Sequence, residues 1–170
     1  MLECGNNTMR DVGRGTKDEV KKRELTVDYE TFEHEADIGI RGFGDSMAEA
    51  FENTALAMYS VMVNVQTIEP KVRRGVAVSA PDRELLLIEW LNALLSLSDI
   101  DRMVFSKFEV KIEGTSLIGT AWGDALYRVR HQPHVEIKGA TYHMLSVQER
   151  DNRYVAEFVV YVVGSGVMRQ

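Results

Sequence analysis

The spacing of apolar residues along the chain predicts alternating strands and helices. Ser46 and Glu49 form a capping-box pattern, and apolar residues then recur three, four and seven positions apart as far as Met62. A second helix, with Pro81 in its first turn and its end near Leu97, is apolar on most sides, which is typical of a central helix. Period-two runs predict strands at 29–34, 36–43, 72–80, 105–113, 116–122, 135–148 and 154–163.

This order of elements predicts an α+β fold with a single domain. We expect a largely antiparallel or mixed β-sheet with two main α-helices packed on it. Asp151 and Asn152 lie between the last two apolar runs and favour a hairpin turn. Residues 1–27 and 164–170 contain too few large apolar side chains to bury, which predicts a flexible N-terminal extension and a C-terminal tail around a folded domain at 28–163.

The net charge of the chain limits the kinds of molecule that it can bind. The 170 residues include 20 Lys and Arg against 26 Asp and Glu, a net charge of -6, and because each tail carries +1 the predicted domain carries -8. Such a domain repels phosphates, which argues against binding of free nucleic acid through bulk electrostatics and leaves room only for a local basic patch. The single cysteine, Cys4, and the absence of long apolar runs lead us to expect a cytoplasmic protein that contacts no membrane.

Candidate chemistry rests on a few polar residues. His131 and His134 have the spacing of a zinc pair, but Pro133 between them and the lack of a nearby acidic ligand favour a solvated loop. Glu35 and Asp37 alternate onto one face of a strand, where they would offer oxygens to Ca²⁺ or Mg²⁺ or form part of a solvated face. Further along, Glu136 and Lys138 share a strand face with Ala140 and Tyr142, which by itself predicts a weak ion pair.

Several motifs in one order resemble the archease family. The segment 33–40, Glu-His-Glu-Ala-Asp-Ile-Gly-Ile, is similar to the family's opening H-T-A-D-[IV] signature. Segments similar to its two helices, its R-H element and its E-V-K-A-x-T-Y-H element follow in family order, and the resemblance covers roughly residues 29–163. The matching segments after the first are 44–51, 85–92, 105–108, 123–124, 130–131 and 136–143.

The resemblance implies an accessory function and no catalysis by the chain itself. Archeases are chaperone-like activators of the RtcB-type RNA ligase, which acts in tRNA splicing and RNA repair. They promote guanylylation of the ligase and so allow multiple turnover. The implied partner is therefore an RtcB-type ligase, and tRNA is reached only indirectly through it.

The resemblance also implies a metal site, altered in this sequence. The family site holds calcium through the Asp of H-T-A-D, which Asp37 matches, and through an Asp on the last strand, whose place Tyr161 takes. Because Tyr161 removes a carboxylate ligand, we expect weak or absent calcium binding. Glu35, which replaces the family's usual Thr, is the candidate substitute ligand. Residues assigned by the resemblance to contact the partner or its nucleotide are Lys138, Glu136, His34 and Asp124.

Two other classes of function stay open at the level of sequence. One is a small metal-dependent hydrolase that uses Asp37, Asp124 and a histidine. The other is a structural interaction module without a site. Turnover by the isolated protein would favour the hydrolase, whereas stimulation that depends strictly on a ligase would favour the accessory protein.

Overall fold

The strands form two separate antiparallel sheets in a computed structural model of the chain. The structure describes residues 28–34 and 37–163, with only the backbone at His34, so both predicted tails lie outside the described residues. The strands are β1 Tyr29–His34, β2 Asp37–Gly44, β3 Val72–Ser79, β4 Met103–Glu113, β5 Ser116–Ala125, β6 Glu136–Ala140, β7 Ser146–Arg150 and β8 Arg153–Val163. The helices are α1 Met47–Met62, α2 Arg83–Asp101 and the single turn α3 Arg128–His131, with a 3₁₀ turn at Val65–Thr67.

The predicted α+β class is confirmed, and the strands divide between two antiparallel sheets. One sheet has the order β1-β2-β8-β6, with β7 also paired to β8, and the other has the order β3-β5-β4. Helix α1 packs against β2 and β8 of the first sheet and β4 of the second, while α2 packs against β6 of the first and β3 and β5 of the second. Both helices thus lie between the sheets. This position explains why α2 is apolar on most sides.

Buried polar groups join the two helices. The indole Nε1 of Trp90 on α2 donates to the Phe51 carbonyl on α1 at 3.2 Å, and the Tyr59 hydroxyl on α1 donates to the Leu94 carbonyl on α2 at 3.1 Å. From the first contact to the second, both helices advance toward their C-terminal ends. Burial raises the pKa of Tyr59 and keeps its hydroxyl protonated as a donor.

The helix boundaries depart slightly from the prediction. Ser46 caps α1 as predicted, because its hydroxyl accepts a hydrogen bond from the Glu49 amide at 3.1 Å. The cap of α2 is Asp82, which accepts from the Leu85 amide at 2.8 Å, so Pro81 precedes the helix and does not lie in its first turn. Helix α2 also continues beyond Leu97 to Asp101 and ends at Arg102, which has a left-handed φ of 52°.

The long strand predicted at 135–148 is wrong. The chain forms β6, leaves the strand in a short turn with Met144 at a φ of 56°, and continues in the same direction as β7. Both short strands pair with β8, and a bulge between Ile137 and Gly139 interrupts the alternation of β6. Tyr142 therefore lies in the turn and does not share a strand face with Lys138. The predicted hairpin turn is confirmed, since Asp151 and Asn152 join β7 to β8 with φ angles of 51° and 63°.

A charged ladder crosses the outer face of the five-stranded sheet. Arg41 on β2 lies opposite Glu30 on β1 and Glu157 on β8. Its Nε donates to Glu157 Oε2 at 2.7 Å and its Nη1 donates to Glu30, while its guanidinium carbon lies 4.8 Å from the centre of the Phe32 ring. The hydrogen bond to the largely buried Glu157 raises the pKa of Arg41.

Candidate functional site

The predicted site residues Asp37, Tyr161 and Lys138 lie in one row across three neighbouring strands of the five-stranded sheet. Strand β8 pairs with β2 up to Ile38 opposite Val160, and with β6 through Gly139 opposite Tyr161. Continuing the antiparallel register by one residue places Asp37 beside Tyr161. Tyr161 thus lies between the start of β2 and the bulge that contains Lys138. Its side chain is 54% exposed.

Lys138 and Glu136 form the ion pair that their spacing predicts. The Lys138 ammonium donates to Glu136 Oε1 at 2.9 Å, and both side chains are more than half exposed. This hydrogen bond raises the pKa of Lys138, so the amine is charged at neutral pH. Because exposed pairs of this kind contribute little to stability, Lys138 can exchange Glu136 for another anion at small cost.

The described residues do not match the oxygen-rich site that calcium requires. Calcium takes six to eight oxygen ligands, yet the described part of the chain contains no group of three or more His, Cys, Asp or Glu residues placed to hold a metal. Beside Asp37 stands Tyr161, and a phenol at neutral pH supplies no negative charge. The candidate substitute Glu35 and the His34 side chain lie outside the described residues.

Asp124 belongs to a different cluster. It lies near the end of β5 in the three-stranded sheet, is 6% exposed, and accepts a hydrogen bond from Nη2 of Arg130. Arg130 also reaches Glu69 at 3.4 Å, and Glu69 pairs with Lys71 at 2.7 Å. The hydrolase alternative needs Asp37, Asp124 and a histidine around one metal, and the described residues contain no such group.

His131 is buried, which corrects the prediction of a solvated loop. Its ring is 0% exposed, and Nδ1 accepts a hydrogen bond from the Tyr127 amide at 3.0 Å. Burial, followed by the charge of Arg130, lowers the pKa of His131, so the ring is neutral at pH 7. His134, by contrast, is exposed. No local pattern signals this burial, because His131 lies in the short helix α3, where Pro133 predicts a loop.

Comparison with known proteins identifies the family. The sequence profile of the archease protein family (MTH1598/TM1083) matches residues 29–162. The chain belongs to the archease family. It is 45% identical over 136 residues to the protein archease of Pyrococcus abyssi, and the aligned region covers 77% of this chain and 96% of that protein. It is 41% identical over 134 residues to the archease of Sulfurisphaera tokodaii, and the aligned region covers 78% of this chain and 96% of that protein.

A solved archease-family structure supports the same fold. The solution structure of protein 1598 of Methanobacterium thermoautotrophicum superimposes with a TM-score of 0.70 at 34% identity, covering 78% of this chain and 97% of that one. The family resemblance seen in the sequence is therefore confirmed. As a separate observation, none of the helices in the described residues has the length and apolar character of a membrane span.

Proposed function

We propose that this archease chain activates an RtcB-type RNA ligase, promoting guanylylation of the ligase so that it turns over repeatedly in tRNA splicing and RNA repair. The proposal rests on membership of the archease family together with one observation: Asp37, Tyr161 and Lys138 belong to adjacent strands at one end of the five-stranded sheet. In this proposal the chain is an accessory protein without catalysis of its own, and tRNA is reached only through the ligase.

The chemistry of these residues suits a contact with a partner's charged site. An accessory protein accelerates its partner's reaction only by stabilising the reactive conformation or step of that partner. Asp37 would orient a cationic group or a divalent ion of the ligase. Lys138, which exchanges its exposed pairing with Glu136 at small cost, would contact a nucleotide phosphate or a partner carboxylate.

Tyr161 changes how this family site would work. With a neutral phenol in place of a carboxylate, the chain carries one negative ligand fewer toward a divalent cation. We therefore propose that calcium is bound weakly or not at all by the isolated chain. Activation would then depend on Asp37 and Lys138 meeting groups of the ligase directly.

The test is ligase turnover with substrate RNA in excess over an RtcB-type ligase. We expect the wild-type chain to raise the number of products per ligase above one, and Asp37→Ala to reduce this stimulation by about tenfold or more, as for a central interface residue. Asp151→Asn is a matched control, because it removes a carboxylate from the exposed β7–β8 turn, where Asn tolerates a positive φ. Full stimulation by folded Asp37→Ala would refute the proposal, and turnover of RNA by the isolated chain would favour a hydrolase.

A further inference from the structure

A second surface collects features of an interface. We call it the Arg130 corner and define it as residues 126–130, the last turn of α2 and Lys71. It holds four exposed large apolar side chains, which are Val129 (93% exposed), Ile100 (76%), Tyr127 (54%) and Leu126 (38%). The Leu126 amide donates to the Arg102 carbonyl at 2.9 Å and so joins the two chain segments. Such a concentration of exposed apolar residues marks contact sites.

A groove runs through this corner. Its volume is about 310 Å³, and it is lined by Lys71, Tyr127, Val129 and Arg130. The guanidinium carbon of Arg130 lies 4.8 Å from the centre of the Tyr127 ring, which fixes both side chains at the groove wall. The groove therefore combines one apolar surface with two cationic groups.

The corner is positive although the chain is acidic. Of the four anions near the corner, Glu69 and Asp124 are bound by Lys71 and Arg130, and Asp101 in the last turn of α2 is bound by Arg74. Asp99 is the exposed carboxylate that forms no ion pair within the described residues. Arg102 and Arg128 form no ion pair within the described part of the chain and are both exposed. Two unpaired arginines against one unpaired carboxylate leave the corner with a local positive charge, which contrasts with the net charge of -6 for the whole chain and would attract an acidic partner.

Unsatisfied donors point to the same place. Among the described residues, the buried side-chain nitrogens without a hydrogen-bond partner are Arg130 Nε and His131 Nε2. Since Nδ1 of His131 accepts from the Tyr127 amide, the neutral ring carries its proton on Nε2. Two adjacent residues thus keep buried donors without acceptors. Such groups carry a free-energy cost, and because both atoms are buried, an acceptor reaches them only if the corner rearranges.

We infer that the Arg130 corner is a docking surface for an acidic segment of the partner protein, one that carries carboxylates beside large apolar side chains. This inference rests on the proposed function, because the ligase is taken to supply the segment. Apolar side chains of the segment would cover Val129 and Ile100, while its carboxylates would meet Arg102 and Arg128. It assigns a role in recognition to residues outside the row of Asp37, Tyr161 and Lys138.

A protein segment fits this surface better than RNA does. Val129 and Ile100 offer aliphatic surface, which gains from covering by apolar side chains and gains nothing from phosphate. The one aromatic ring in the corner, Tyr127, is already faced by Arg130, so a stacking base would have to displace that contact.

The experiment titrates full-length chain into a fixed amount of RtcB-type ligase and measures stimulated turnover. The test variant is Val129→Asp with Arg128→Glu, both exposed in the corner. The matched control is Ile118→Asp with Lys111→Glu, which makes the same changes at exposed, paired positions of β5 and β4. We expect the half-saturating concentration to rise about tenfold or more for the corner variant, with maximal stimulation unchanged. The control should match wild type.

The outcomes separate this inference from the proposed function. An unchanged half-saturating concentration for a folded corner variant overturns the inference alone, and so does an equal loss in the control. Loss of binding to labelled single-stranded RNA, or loss of self-association in sedimentation, with ligase stimulation intact would assign the corner to another occupant and also overturn it. A wild-type chain that neither binds nor stimulates the ligase overturns the proposed function and the inference together.

Discussion

Replacing Arg41 with methionine should destabilise the domain through the carboxylate that it leaves behind. Arg41 connects two glutamates of very different exposure, since the side chain of Glu157 is 11% exposed and that of Glu30 is 43% exposed. Methionine keeps an unbranched apolar side chain at this position but removes the guanidinium, which lies over the Phe32 ring and carries the charge. The buried carboxylate of Glu157 then loses its cation.

The exposed fractions of the two glutamate side chains determine how much stability Arg41→Met should lose. Removing one partner of a buried ion pair costs about 3–5 kcal/mol, whereas an exposed pair contributes only about 0–1 kcal/mol. Because Glu157 keeps some contact with water, we expect a loss near the lower limit, about 3 kcal/mol, for Arg41→Met. For a domain of this size that corresponds to a melting temperature lower by roughly 9 °C.

Urea and thermal unfolding followed by circular dichroism would measure this loss. Glu30→Gln is the matched control and should cost less than about 0.5 kcal/mol, because its pairing is exposed. The double variant Arg41→Met with Glu157→Met replaces the whole pair by apolar groups and should recover most of the stability. If Arg41→Met costs no more than Glu30→Gln, or if the double variant is less stable than the single one, the attribution to Glu157 is wrong.

Three further predictions concern metal, RNA and pH. Calorimetry with Ca²⁺ and Mg²⁺ should show weak binding that falls in Glu35→Gln and nearly vanishes in Asp37→Asn, because each change removes one anionic ligand; tight binding indifferent to Glu35 would contradict this. The isolated chain should not bind free tRNA tightly at physiological salt, given its net charge of -6, and tight binding that weakens steeply with salt in a filter assay would refute the expectation. Because burial lowers the pKa of His131 in the folded state, the unfolded chain binds more protons below about pH 6.5. Stability should therefore fall more in wild type than in His131→Asn between pH 7.5 and pH 5.5, and parallel pH profiles in urea unfolding would contradict the assignment.

Local patterns were sufficient for the elements whose signals are local. The Ser46 cap, the apolar positions of α1 and the turn at Asp151 and Asn152 all depend on neighbours within a few residues, and all three are confirmed. The split of the predicted strand 135–148 was missed because both halves pair with the same strand, β8. Nothing within the segment itself records that shared partner.

Contacts between distant segments had no local signal. Arg41 and Glu157 are 116 residues apart in the chain, and only the strand order places them side by side. Asp37 and Tyr161 were associated through the family resemblance alone, and the register of β2 and β8 then makes them neighbours. The burial of His131 and the pairing of Asp124 with Arg130 likewise depend on how α3 folds back beside β5.

The position of β8 has a consequence for synthesis of the protein. This last strand lies inside the five-stranded sheet and pairs with β2, β6 and β7, and without it β6 and β7 have no partner in that sheet while β2 has only β1. During translation, β2 would pair with β1 and pack on α1, but its other edge would stay unpaired until residues beyond 150 leave the ribosome. Closing a sheet over so long a separation slows folding. We therefore expect nascent chains that stop before β8 to expose the unpaired edge of β2 and to need protection from aggregation.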